Sequence, residues 1–551
     1  MSYIIKRIDN LNHHLTRAMD TSQDGAAANE QGKRQGLITV NDLSYVLEPD
    51  LSVAVNKTTK KHFFQSTSYD PSQNGICIFN SGADYIDTRR SFLSFQIQLN
   101  TPVTANGYFG THGSACNVID NITISTRSGD EIARITDFNL LSNMMIPLTY
   151  DEEWCKTVGG PMGYSGVVLS AQKRNEINAA NPFTVPPQRF NIPMYVLAPF
   201  FGYGRLMPAM VMSGLRVEIG FAQPDVAFLG GLDESIISNP DSLAPASVNR
   251  VLAVTGYTVE NAYFSLCSVQ LSDSIQRALN EQSATNGLEI VYTDYEKTES
   301  SYQGAATNCN IEVRKSCSRA LKAFARVRCH VDETPSGKKD SFRSEKGFPW
   351  LEYQWQLGSL YFPQQPVKAD DVNSLYGCAP EAYTHLIESV DKYTGDARQP
   401  ALTYDGVGRA SSGSFLDSII MDTPGGIVHQ VAVHHDAHVL RPKGPQRCEA
   451  NYSSPLRAIY SWSCGENGSF IEDQHVIGVN LERSSLFNLA GVPVNNSRVL
   501  AFRANLASRT QEPNAANAGI NAVTVNRRIF TIYLKYVRLA RVFLNNVEVE
   551  Q

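Results

Sequence analysis

Ser91-Phe92-Leu93-Ser94-Phe95-Gln96-Ile97-Gln98-Leu99 alternates apolar and polar side chains. Leu93, Phe95, Ile97 and Leu99 fall on one face, and Ser94, Gln96 and Gln98 on the other. That is the period of two of a half-buried strand; one face of an α-helix would need apolar residues every three to four positions. Asn121-Ile122-Thr123-Ile124-Ser125 repeats the pattern, and Arg127-Ser128-Gly129-Asp130-Glu131 follows it as a turn. Leu215-Arg216-Val217-Glu218-Ile219-Gly220-Phe221 alternates as cleanly. In the second half Tyr353, Trp355, Leu357 and Ser359 line one face, with Glu352, Gln354 and Gln356 on the other. Residues 530–543 form a long β-branched and aromatic segment near the C-terminus. Helical candidates are short: 137–145, 272–280 and 381–390. Many strands separated by turns, with helices only as inserts, predict an all-β chain of sandwiches.

The first sixty residues read differently. Ile4, Ile8, Leu11, Leu15 and Ala18 recur at helical spacing, with Lys6, Arg7 and Arg17 on or near the polar side. Residues 21–36 are rich in Gly, Ala, Asn and Gln and read as a connector. Such an arm suits a helix docked on its own domain, or one that meets a partner or a membrane surface. From about residue 61 two halves share an order of elements. In the first half a strand, a turn, a short strand and a helix follow one another, and in the second a strand, a turn, a gap and a helix, although sequence identity between the halves is negligible. The expected division is an arm at 1–60, a first sandwich at 61–262 and a second at 263–551. A large loop excursion is expected around 364–422, opened by a turn at Pro363-Gln364-Gln365-Pro366.

Composition narrows the function. A chain of 551 residues should hold at least two cores, because one core rarely grows past about 250–300 residues. Lys plus Arg is 48 and Asp plus Glu is 54, so the formal charge is −6 and overall charge does not drive the chain onto nucleic acid. Charged residues are 19%, below the roughly 25% of ordinary soluble domains, and Tyr and Phe number 24 each. A surface of that kind suits burial against other chains. The start of the chain lacks the apolar stretch of a secretory signal. The most apolar region, 190–215, is broken by Pro193, Pro199, Arg205 and Pro208, which argues against a membrane helix. Ten cysteines carry no Cys-x-x-Cys pair and predict buried reduced thiols.

Chemical motifs are absent. The sequence has no phosphate-binding Gly-x-x-x-x-Gly-Lys-Ser/Thr loop, no dinucleotide fingerprint and no Gly-x-Ser-x-Gly elbow. His429 and His434-His435-Asp436-Ala437-His438 form the one metal-like cluster. His434 and His438 would share a face on a helix, and His434, Asp436 and His438 on a strand. With no third ligand at a known spacing, His434, His435 and His438 are expected to be surface or interface histidines. No catalytic residue, cofactor or small-molecule substrate is expected. Arg527, Arg528, Lys535, Arg538 and Arg541 make a basic run, expected to pair with acids of the neighbouring half.

The strand-bearing segments also resemble a known family. Asn191-Ile192-Pro193-Met194-Tyr195-Val196-Leu197-Ala198-Pro199-Phe200-Phe201, with 205–208 and 213–219 behind it, resembles the end of the first roll in double jelly-roll major capsid proteins. The flavour is that of polinton-like viruses and virophages, within the adenovirus-type double-stranded DNA virus lineage. Tyr353-Gln354-Trp355-Gln356-Leu357-Gly358-Ser359-Leu360-Tyr361-Phe362-Pro363 resembles their second roll, and 533–542 its closing strand. The residues that carry the likeness are Pro193, Pro199, Phe200, Phe201, Leu215, Arg216, Trp355, Gly358, Tyr361, Pro363, Tyr536 and Arg538, packing and turn positions without catalytic character. The resemblance implies two consecutive eight-stranded jelly rolls with short helical inserts and an N-terminal arm. It implies a homotrimer of pseudo-hexagonal outline in an icosahedral shell around double-stranded DNA, made inside a host cell. Neighbouring capsomers, penton and minor capsid proteins are the implied partners, with an internal membrane or the genome open to the arm. The alternatives are another virion component, or a carbohydrate-binding or carbohydrate-active β-sandwich protein.

Overall fold

The computed structural model describes residues 54–100, 107–109, 114–163, 168–169, 187–230, 256–285, 287–329, 350–369, 379–393, 400, 418–422, 428–432, 476–482, 491–495, 497–506, 527–543 and 547–550. The arm's helix and His434, His435 and His438 lie outside the described residues.

Sixteen strands build two sandwiches. The first contains β1 (Ala54–Phe63), β2 (Asn74–Ile78), β3 (Tyr85–Leu99), β4 (Ile119–Ser125), β5 (Glu131–Ile135), β6 (Gln188–Pro193), β7 (Arg216–Phe221) and β8 (Tyr257–Leu271). The second contains β9 (Leu288–Gln303), β10 (Asn308–Val313), β11 (Cys317–Cys329), β12 (Trp350–Leu357), β13 (Leu360–Lys368), β14 (Val476–Asn480), β15 (Leu500–Leu506) and β16 (Arg527–Val542). The first sandwich has sheets of order β1-β8-β3-β6 and β2-β7-β4-β5; the second has β9-β16-β11-β14 and β10-β15-β12-β13. Adding eight to every label turns the first pair of orders into the second. β1 lies beside β8, and the other pairings are antiparallel. Interleaving first, eighth, third and sixth strands in one sheet, and second, seventh, fourth and fifth in the other, is the jelly-roll winding.

The expected alternation sets the core. Leu93, Phe95, Ile97 and Leu99 are buried, with Phe264 of β8 opposite Leu93 and Val259 opposite Ile97. In the second sandwich Trp350 and Trp355 are fully buried, their rings 5.2 and 4.6 Å from Phe502 on β15. Buried residues of both sandwiches belong to one contiguous cluster. The helical inserts are α1 (Phe138–Thr149), α2 (Asp273–Thr285) and α3 (Pro380–Ser389). α1 follows β5 and α3 follows β13, so they are equivalent in the two windings.

Details differ from the sequence reading. Pro363 and Pro366 lie within β13 rather than in a turn, and the chain reverses at Gly358, whose φ is +59°. Prolines are tolerated there because, among the described residues, β13 is an edge strand with one side free of ladder bonds. The excursion after it therefore begins beyond Lys368 and contains α3. The 60/61 position falls inside β1, so the first sandwich begins by Ala54, and the 262/263 position falls inside β8, which continues to Leu271 before α2 leads into the second sandwich. Ser94 sits on the polar face yet is buried, because Arg189 reaches over from β6 and donates Nη1–H to its Oγ at 3.1 Å.

Candidate functional site

Among the described residues no group of three or more His, Cys, Asp or Glu could hold a metal ion. The polar groups that do converge lie where the two sandwiches meet. Each sandwich has two sides. One carries its first and second strands, the other its fifth and sixth. The β5/β6 side of the first sandwich packs on the β9 side of the second.

β9 and β16 pair along sixteen positions, placing Tyr292 opposite Arg538 and Asp294 opposite Tyr536. Arg538 Nη1 donates to Asp294 Oδ2 at 3.0 Å, with side chains 6% and 2% exposed. The second arm of the guanidinium donates from Nη2 to the Glu131 carbonyl of β5 at 3.3 Å. Tyr292 donates its hydroxyl to the Ile132 carbonyl at 2.7 Å, and Tyr533 donates to the Asp137 carbonyl at 3.3 Å. Lys297 bridges Glu299 on its own strand and Asp137 of the first sandwich. Phe200, fully buried in the short turn Pro199–Gly202 after β6, sets its ring edge-on to Tyr292 at 5.1 Å. Ser283 of α2 donates to the Val542 carbonyl at 3.0 Å.

Burial pushes the Asp294 carboxyl up to about 6, and the neighbouring Arg538 opposes the rise. Burial also lifts the Tyr292 and Tyr536 hydroxyls above their ordinary range, which keeps them neutral hydrogen-bond donors. Cys77, Cys116 and Cys309 are pushed up to about 12 by burial, and Cys317 to about 11, so these thiols stay protonated. The arrangement is a buried polar joint. Its donors, acceptors and charge pair join β5, the segment after β6, β9 and β16, and what it can do is fix two sandwiches relative to each other.

Of the residues singled out in the sequence, the joint gathers Phe200, Tyr536 and Arg538. Arg538 and Arg541 pair with Asp294 and Glu289 of their own half; the neighbouring half contributes a backbone carbonyl to Arg538 rather than an acid. The rest are elsewhere. Pro193 ends β6 opposite Phe92, and Pro199 opens the turn in which the Phe201 carbonyl accepts from Thr88 Oγ1 at 2.6 Å. Leu215 is buried and its carbonyl accepts from Phe79 N at 2.9 Å, while Arg216 pairs with Glu218 at 2.9 Å. Trp355 fills the second core, Gly358 makes the β12–β13 reversal, and Tyr361 and Pro363 lie on edge strand β13, with Tyr361 exposed. Sequence reasoning missed Tyr292, Asp294 and Lys297. Their signal was the spacing of Tyr292, Asp294 and Glu296 along a strand, polar groups on what should be a packing face.

No protein-family model matches the sequence, and no curated protein matches it. Solved structures do. The chain is similar to the PBCV-1 virus capsid, at 9% identity and TM-score 0.49, covering 92% of this chain and 99% of that one. It is similar to the Sputnik virophage structure at 10% identity, TM-score 0.45 and 92% of both chains. The mavirus major capsid protein matches at 8% identity, TM-score 0.43 and again 92% of both. The strand orders of this molecule establish the architecture independently of those similarities: the chain is a double jelly roll, two consecutive eight-stranded jelly rolls joined by a buried seam.

Proposed function

We propose that this chain is a major capsid protein, a structural subunit that performs no catalysis. The observation that carries the reading is the repetition of one jelly-roll order in both halves, locked together where Arg538 and Tyr292 donate to the Glu131 and Ile132 carbonyls. Two like sandwiches held in one rigid body give a ring of three chains six near-equivalent corners. Such a ring tiles a hexagonal lattice, so trimers would build an icosahedral shell around double-stranded DNA. Neighbouring capsomers, penton and minor capsid proteins are the partners of such a shell, and the arm ahead of β1 would reach an internal membrane or the genome. The residues that act are those of packing and turns, Phe200, Trp355, Tyr536 and Arg538 foremost.

Light scattering coupled to size exclusion tests the reading. The native mass should be three times that of the chain, and electron micrographs should show hexagonal particles. A stable, folded monomer at all concentrations would overturn it.

A further inference from the structure

One row of side chains crosses the polar face of the β1-β8-β3-β6 sheet and takes no part in the seam. Lys61 comes from β1, Tyr263 from β8, Ser94 from β3 and Arg189 from β6, so each strand supplies one member. Tyr263 stands opposite Ser94 in register, and Arg189 stands opposite the next outward residue of β3, Gln96. Both cations lean toward the middle of the row. Lys61 Nζ is 4.6 Å and the Arg189 guanidinium 5.4 Å from the centre of the Tyr263 ring, and Arg189 also holds Ser94. Ser94 is fully buried and floors the row, while Lys61 and Arg189 are exposed. Phe63, two residues beyond Lys61 and on the same face of β1, is 66% exposed with its ring 5.6 Å from Tyr263. Charge along the row is unbalanced. Lys60, on the opposite face of β1, meets Asp84 at 2.5 Å, but among the described residues neither Lys61 nor Arg189 has a carboxylate in ion-pair reach. Glu260 faces Gln96 in the neighbouring row and pairs with neither cation. The Ser94 hydrogen bond, and then Lys61 and Arg189, draw the Tyr263 hydroxyl below its usual range although burial opposes them, the direction an excess of positive potential imposes.

We propose that this row is a binding site for a phosphate monoester, whose oxyanion is taken by Lys61, Arg189 and the Tyr263 hydroxyl and whose organic part lies on the exposed Phe63 ring. The guanidinium keeps N–H groups beyond the one given to Ser94, and the ammonium and the phenol bring donors from two further strands. A tetrahedral oxyanion accepts from several directions at once, as donors spread over different strands require; a planar carboxylate is satisfied by a single guanidinium fork. Phe63 is already packed on Tyr263, so covering its free face costs little further side-chain entropy. The site stands whether or not the chain builds a shell.

Titration calorimetry on the full chain, with inorganic phosphate, phenyl phosphate and acetate as probes, tests the site. Both phosphates should bind saturably, phenyl phosphate more tightly than inorganic phosphate, and acetate more weakly than either. Arg189→Gln and Lys61→Gln should each weaken inorganic phosphate by about three- to tenfold. Lys368→Gln, at an exposed lysine of β13, should leave it unchanged. Phe63→Ala should bring phenyl phosphate down to the affinity of inorganic phosphate without moving the latter. Bound phosphate should also raise the pH at which Tyr263 ionises, read as the component of the near-ultraviolet titration that Tyr263→Phe removes. Lys61, Phe63 and Arg189 are exposed, so unchanged circular dichroism is expected in their variants. Acetate bound as tightly as phosphate, or phosphate binding unaltered in both Arg189→Gln and Lys61→Gln, would overturn the site. Equal affinity for the two phosphates would overturn the monoester as its ligand.

Discussion

Replacing Phe200 by Ala would cut the seam at its apolar centre. The side chain is fully buried, with its ring 5.1 Å from Tyr292 across the joint and 5.5 Å from Phe201 beside it. Truncating a buried Phe to Ala costs about 3–5 kcal/mol in lost transfer energy and cavity. In a unit of 150–250 residues each kcal/mol shifts the transition by about 2–4 °C, which puts the expected drop at roughly 6–20 °C. The size of the drop is not the decisive reading, because Phe95→Ala inside the first sandwich should cost a similar amount. Shape is. If the seam couples the sandwiches, calorimetry on the wild type gives one transition, and Phe95→Ala moves it as a whole. Phe200→Ala should instead split it in two, because the cavity lies between the cores. A single transition in Phe200→Ala, displaced as in Phe95→Ala, would refute the idea that the sandwiches are coupled through this joint.

Other expectations follow from the same geometry. The Asp294 carboxyl titrates near 6 in the folded chain, above the ordinary carboxylate value, so the native state holds its proton more tightly than the unfolded state. Its stabilising contribution is complete below about pH 4 and is lost as the pH rises through 6; thermal scans should show wild type losing ground over that window relative to Asp294→Asn. At Gly478 a Cβ would come within 3.0 Å of the Ser389 Cβ and closer still to its hydroxyl, where α3 sits on β14. Gly478→Ala should therefore cost about 1–3 kcal/mol by overpacking, seen as a lower denaturant midpoint. Replacing His434, His435 and His438 together by Gln should leave the native mass unchanged at neutral pH; loss of assembly, with zinc restoring the wild type after chelation, would assign them a metal. On the capsid reading, limited proteolysis should remove residues ahead of β1 from the free protein and spare them in assembled particles, and equal cleavage of both would contradict an inward-facing arm.

The fold was legible where one strand carries its own evidence. The alternation at Leu93, Phe95, Ile97 and Leu99 is local, and so are the periods behind α1, α2 and α3, whose positions match the sequence reading to within a few residues at most ends. Pro363 and Pro366 misled because a proline pair reads as a turn unless the strand is known to be an edge, and edge status is a property of the whole sheet. The seam was legible only in part. Phe200, Tyr536 and Arg538 stood out through resemblance, but their partners Tyr292 and Asp294 lie some 90 to 245 residues away in sequence. Which acid meets which arginine is decided by the register of β9 on β16, and nothing local encodes that register.

The place of the last strand in each sandwich bears on how the protein is made. β8 lies between β1 and β3, and β16 between β9 and β11, so the final strand of each half is a central one. On the ribosome, β1 gains its ladder neighbour only when 257–271 has emerged. The second half waits for residue 542. Until then two sheets stand open with unpaired edges, a state of high contact order that is slow to resolve and prone to capture by other nascent chains. A premature stop anywhere in β16 would leave β9 and β11 without the strand that joins them. A half that stops short of its last strand therefore cannot close, and prematurely ended products should be substrates for chaperones and proteases.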